Sequence, residues 1–325
     1  MGTPMRRRLG FVIVTAIVAV LAAGARADTL LRYKIAWSLA GPLAARTAAM
    51  PHLPKDMVIE IHGQTALTRM GSATTLFDRD SGQITLVDSA HHLYAVSSEA
   101  DYAQQLAGAL PTMAPGQQQA MAAMDVNVTH EDKGAGQPVL GFATQETDYT
   151  LHMGLDLAKL ANRPLPPGAA AAAADFMRMQ EQVWLATPAA VQSSAALRAV
   201  AAVARQQGKL FNPVAGLGSI LPPQVSKKMS AMMQEMQQQG LPALRMSMAL
   251  YLPMMAAMMQ AEQQAHPEAK LPNLDANAPL MQMDMTVAQL AEQPLPGADF
   301  VVPAGYQKVS LAELIRAEHS NLTKP

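Results

Sequence analysis

Methionine is the side chain through which this sequence could most readily do chemistry. The chain has 24 of them against 6 Phe, 6 Tyr and 2 Trp, and 15 lie between Met177 and Met285. Met229, Met232, Met233 and Met236 recur at i, i+3, i+4 and i+7, one face of a helix. Met246 and Met248 share one face of a strand, and Met281, Met283 and Met285 share one face of another. If those strands pair, five thioethers cover one side of a hairpin. Burying a Met side chain is worth about 1.5–3 kcal/mol, so the five together approach a whole domain's net stability of roughly 5–15 kcal/mol. Such a surface is not left in water. Three uses of it stay open: a plain core between sheet and helices, an adaptable groove that repacks around varied apolar guests, or a soft thioether site for Cu(I).

Other chemistry-bearing residue types are not arranged for catalysis. His91 and His92 sit in a turn before a strand, and neighbours on a strand point to opposite faces, which is poor metal geometry without a third ligand. Acid pairs such as Glu131-Asp132 read as loop residues that water solvates. Gly134-Ala135-Gly136 with Gly141 lacks dinucleotide spacing, and Gly216-Leu217-Gly218-Ser219 does not flank its serine as a nucleophile elbow does. No cysteine is present, which excludes disulfides, thiolate catalysis and thiolate metal sites. The expectation is a non-enzyme with no catalytic residues, no resident metal and no cofactor.

Charge and targeting narrow the class further. Arg6, Arg7 and Arg8 precede an apolar run from Leu9 to Ala23 and the small-x-small sequence Ala25-Arg26-Ala27, the tripartite pattern of an export signal over residues 1–27. The apolar run has 15 residues, short of the 18 or so that span a bilayer. Cleavage after Ala27 would leave 20 basic against 25 acidic residues, a net charge of −5. Such a chain has no electrostatic attraction to phosphate backbones, so nucleic acid is not an expected partner. The expected location is the periplasm or beyond it, without a membrane span in the mature chain.

The elements that would position the methionines are strands. Leu31, Tyr33, Ile35, Trp37 and Leu39 alternate with more polar residues, the period of a half-buried strand. Strands are expected at Met57–His62, Ala73–Phe77, Gln83–Val87 and Leu93–Val96, with turn chemistry at Asp80-Ser81-Gly82 and Asp88-Ser89-Ala90. After a Met/Ala/Gln stretch, strands return at Asp125–His130, Leu140–Leu157 and Gln182–Thr187. Pro164 to Gly168 and the alanines Ala169–Ala174 mark a break and a helix. Ser193–Gln207 reads as a helix with Ser193 or Ser194 as N-cap and Gly208 as its stop. The methionine strands, Leu244–Tyr251 and Met281–Ala288, enclose a long excursion. Phe300–Tyr306 and an amphipathic stretch from Leu311 to Arg316 close the chain.

This layout resembles the LolA/LolB-like group of periplasmic lipoprotein carriers. The resemblance rests on the opening strand Tyr33–Leu39, the meander ending at His92-Leu93-Tyr94, Gly141-Phe142-Ala143-Thr144 and Val183-Trp184-Leu185 before a helix. Its most specific part is the ending Phe300-x-x-Pro303-x-Gly305-Tyr306. It implies an α+β fold: a curved antiparallel sheet, a half-open barrel, covered by helices on its concave face, with a cavity for lipid or acyl chains. Residues 28–310 would form one domain with helical insertions near 99–124, 193–240 and 254–279, followed by a tail over 311–325. The Met-rich segments 224–239 and 254–265 extend beyond a carrier's lid, and no arginine-centred lipoprotein-chaperone signature is present. The expected function is binding or carriage of an apolar ligand, or of an envelope partner protein. Tyr33, Trp37, Met246, Met248, Met281, Met283 and Met285 are the candidate lining residues. A non-catalytic scaffold of envelope assembly and a copper-handling protein are the alternatives.

Overall fold

The computed structural model describes residues 28–41, 44, 53–109, 123–156, 173–210, 240–268 and 274–322. The expected signal segment 1–27, the helical methionines Met229 to Met236 and the break from Pro164 to Ala172 lie outside them.

Among the described residues twelve strands make one sheet: β1 (Thr29–Leu39), β2 (Asp56–His62), β3 (Thr65–Met70), β4 (Ala73–Asp78), β5 (Gln83–Asp88), β6 (Leu93–Ser98), β7 (Met124–Val139), β8 (Phe142–Leu155), β9 (Met177–Ala186), β10 (Ala243–Tyr251), β11 (Met281–Glu292) and β12 (Gln307–Lys308). Their spatial order is β12-β6-β5-β4-β3-β2-β1-β11-β10-β9-β8-β7. Every pair is antiparallel except β6 with β12. The sheet is open, with β7 and β12 at its edges, and the fold is α+β as expected. The helices are α1 (Glu99–Ala109), α2 (Pro188–Ser193), α3 (Ala195–Leu210), α4 (Pro253–Ala265) and α5 (Leu311–Leu322).

The expected meander forms, and its turns close as their sequences require. The Asp78 carboxylate accepts from the Asp80 and Ser81 backbone N–H groups at 3.0 and 2.9 Å, and these bonds hold its pKa below the usual carboxylate range. Asp88, buried, accepts from Ala90 N at 2.8 Å and from His91 N at 3.3 Å.

β3 was not expected from the sequence. It lacks alternation because Ala66 and Leu67, on opposite faces, are both buried. One face meets the core under α3, and beside the other runs the segment holding Asp299, which pairs with Arg69 at 3.8 Å. Two turn glycines at positive φ, Gly63 and Gly71, bracket the strand and were its legible signal.

Glu131-Asp132 lies in β7, not in a loop. β7 is an edge strand, where exposed charges are tolerated; Glu131 pairs with Lys133 at 2.7 Å, and Asp132 accepts from the Thr147 hydroxyl at 3.1 Å.

The expected helix at Ser193–Gln207 begins later and ends later. Ser194 is extended, at φ −122° and ψ 125°, and separates α2 from α3. Its hydroxyl accepts from Leu197 N at 3.2 Å, the N-cap role anticipated for it. Gly208 does not stop α3, which runs to Leu210; a helical glycine costs only about 1 kcal/mol.

The main core lies between α3 and one face of the sheet. Leu197, Val200, Ala201 and Val203 of α3 are buried with Leu31, Tyr33, Ile61, Leu244 and Val287. The strand register puts those sheet residues on one face. The same register carries Leu86 and Ala95 onto that face, where α1 and α5 form a second small core through Leu106, Leu311 and Leu314. The closing stretch is therefore a docked helix, longer than the expected Leu311–Arg316. The Phe300–Tyr306 ending leads the chain to the edge of β6: Tyr306 packs edge-on against His92 at 5.1 Å, and Gln307 N donates to His92 O at 2.9 Å.

Candidate functional site

The methionine strands pair directly. Met246 faces Met285, Met248 faces Met283 and Leu250 faces Met281 across β10 and β11. Directly opposed residues of an antiparallel pair share a face, so all five thioethers form one surface. On the other side of β11, Ile35, Trp37 and Leu39 of β1 oppose Met285, Met283 and Met281. Beyond β10, Val183, Glu181 and Met179 of β9 oppose Met246, Met248 and Leu250. Cross-strand rungs of side chains therefore run from β1 to β9. The central rung reads Trp37, Met283, Met248, Glu181 and then Tyr149 of β8.

This face has a closed end and a half-open middle. At the α3 end Tyr33 is 4 % exposed, and its hydroxyl donates to Ala243 O at 2.7 Å, spanning β11. Burial pushes the Tyr33 phenol well above its ordinary pKa, so it remains a neutral donor. Tyr33 thus belongs to the packed core and anchors the wall of the site without presenting an open surface. Met285 packs at the margin of that core.

Trp37, Met281, Met283, Met246 and Met248 are half-buried. The Trp37 indole N–H donates to Pro54 O at 2.9 Å, which ties the ring to the segment leading into β2. The six other candidate lining residues accordingly share one face of three adjacent strands with Tyr33.

Sequence reasoning missed two parts of this surface. Glu181 lies in the middle of the central rung, between Met179 and Val183 along its strand and between Met248 and Tyr149 across it. Burial raises the pKa of its carboxyl. The alternation of β9 was the available signal, because it places Glu181 in phase with Val183 and Leu185. The second part is a largely apolar groove of about 530 Å³ where β10 runs into α4, lined by Phe176, Leu252 and the α4 methionines, with Glu262 beside them. Below it Ala256, Leu274 and Leu280 form a small buried cluster that caps the end of the methionine rows.

The opposite face of the same strands is polar. Asp148, Thr150, Gln180, Gln182 and Ser247 line a cleft of about 270 Å³ there. Trp184 also lies on that side, with its indole N–H bound to Glu146 at 2.8 Å and the Arg245 guanidinium 4.5 Å above its ring. The contrast identifies the methionine side as the apolar one.

His91 and His92 are structural. His91 forms a short hydrogen bond with Asp88 across the turn, and His92 packs on Tyr306. Among the described residues no group of three His, Asp or Glu side chains is placed to hold a metal ion, and no helix is long and apolar enough to cross a membrane. Comparison with protein-family models and with curated protein sequences finds no match to this chain.

Proposed function

We propose that this chain is a non-catalytic binding or carrier protein of the cell envelope, exported to the periplasm, that takes up an apolar ligand on its methionine face. The observation that carries the reading is the central rung. Trp37, Met283 and Met248 are adjacent on one face, remain half-buried and lie beyond the packed core under α3. Unbranched thioethers with several rotatable bonds can repack around guests of different shape, which suits a lipid or acyl chain. The LolA/LolB-like half-barrel that the sequence resembles is the working architecture of this proposal, supported by a large, open, mostly antiparallel sheet. The test is uptake of a fluorescent fatty-acyl probe by the purified protein in detergent-free buffer. Uptake that saturates at one site supports the reading; no uptake by a protein with normal circular dichroism overturns it.

One observation favours the copper alternative. Met246 with Met285 and Met248 with Met283 bring four thioethers side by side, a soft donor set of the kind that suits Cu(I). A competition titration with a Cu(I) chelator separates the two: stoichiometric Cu(I) binding that is lost in a Met-to-Leu variant would place metal handling first.

A further inference from the structure

On the apolar face of β9, β10, β11 and the Tyr33–Leu39 part of β1, Glu181 is the one charged side chain from Met177 to Leu185, Leu244 to Leu250 and Met281 to Val287. It forms no hydrogen bond or ion pair with any described residue. Its cousin Glu60, on the other face, behaves differently and is held by Arg69 at 2.6 Å. A carboxylate among thioethers is a costly arrangement unless something satisfies it. No packing role explains it, since a Leu or Met at this position would continue the surface without that cost.

We propose that Glu181 and the methionine floor beside it are the head and tail subsites for a cationic amphiphile. Its ammonium would sit on the Glu181 carboxylate and its alkyl chain would run over Met248 and Met283 toward Trp37. The inference rests on the apolar-ligand reading above and adds the class of head group. An ionised carboxylate only accepts hydrogen bonds, so its complement is a donor. An ammonium gives a charge-assisted bond that strengthens as water is excluded from around it. An anionic head group at the same place would meet like charge as well as lost hydration. Glu181 and Trp37 stand three strand spacings apart, about 14 Å at the usual separation of neighbouring strands, which gives an alkyl chain a continuous apolar track. Glu181 supplies the carboxylate at the polar end of that track, with Tyr149 beside it on the rung. Methionine adaptability then tolerates different tails while Glu181 selects the head.

The experiment measures displacement of the acyl probe by dodecylammonium, dodecanol and dodecanoate, each below its micellar concentration, on wild type and Glu181→Gln. In wild type, dodecylammonium should bind about tenfold tighter than dodecanol, and dodecanoate should bind more weakly than either. In Glu181→Gln the ammonium advantage over dodecanol should fall to within about twofold, a change in the ratio of the two ligands that a merely structural role for Glu181 would not produce. Equal binding of the three by wild type, tighter binding of dodecanoate, or an ammonium preference that survives in Glu181→Gln overturns this proposal and leaves the apolar-ligand reading standing. Binding of none of the three overturns both. The wild-type comparison is decisive by itself should the variant fold poorly.

Discussion

Trp37 and Glu181 occupy the same rung of the sheet, three strands apart, with Met283 and Met248 between them. An aromatic ring therefore ends one side of a thioether floor, and a carboxylate with no partner among the described residues ends the other. The two residues are 144 positions apart in the chain, and only the β1·β11·β10·β9 order brings them into line. Along that line the protein is half-buried, whereas two rungs away, at Tyr33 under α3, it is sealed.

Replacing Met246, Met248 and Met283 together by Leu keeps the apolar volume nearly constant. Such swaps usually cost under about 1.5 kcal/mol each, so urea denaturation should show the variant folded and only modestly less stable. Branched, stiffer side chains should narrow the range of acyl chain lengths that displace the probe. A variant with wild-type breadth of binding would count against methionine flexibility as the source of adaptability.

Tyr33 makes a contrasting prediction. Tyr33→Phe removes the hydroxyl that satisfies Ala243 O and should cost about 1–2 kcal/mol of stability. Because Tyr33 is enclosed by the α3 core, probe affinity should stay within about twofold of wild type, measured where the protein remains folded. A large loss of affinity with unchanged stability would move Tyr33 from wall to lining.

Glu181 should mark itself in the pH dependence of stability. Burial raises its folded-state pKa above the unfolded value, so the folded chain holds its proton more tightly. Its contribution is intact below the unfolded carboxylate range and is lost as pH rises through the raised folded value. Glu181→Gln should therefore be more stable than wild type at pH 7, with the gap closing near pH 4 (roughly the unfolded glutamate value). Urea midpoints at the two pH values read this directly, and a gap that does not change with pH would show that Glu181 titrates normally.

Much of the sheet was legible because half-buried strands alternate. β1, β10 and β11 each announce their apolar face, and the face read for Met246 and Met248 is the one that meets Met283 and Met285. The pairing of β10 with β11 was legible as a hairpin, but the next neighbour was not: nothing local says that β11, the last long strand, also pairs with β1. That second pairing is what brings Trp37 to Met283. β3 escaped notice because burial on both sides erased its alternation. Glu181 escaped because a single acid in a strand of Gln, Arg and Met reads as solvent-facing until its partners Met248 and Tyr149 are known. Tyr33 was legible as apolar-facing, but α3 begins 162 positions further along the chain, and its cover over that ring is a tertiary fact.

Export has its own test. Asp28, where the described fold begins, is tied down by its side chain, which accepts from Leu295 N at 2.8 Å and pairs with His62 at 2.9 Å. N-terminal sequencing of the protein from the periplasmic fraction should begin at Asp28. Retention of Met1 or Gly2 would contradict the signal reading.

The most direct test of the ligand face uses the two tryptophans, which lie on opposite faces of the sheet. Trp37 borders the methionine floor, while Trp184 is on the polar side beside Glu146 and Arg245. A fatty acid or alkylamine carrying a nitroxide quencher on its chain should quench Trp37 fluorescence saturably. In Trp37→Phe, which leaves Trp184 as the sole tryptophan, the quenching should disappear while the probe still binds. Quenching that persists in Trp37→Phe, or a bound quencher that leaves wild-type fluorescence unchanged, would contradict the account.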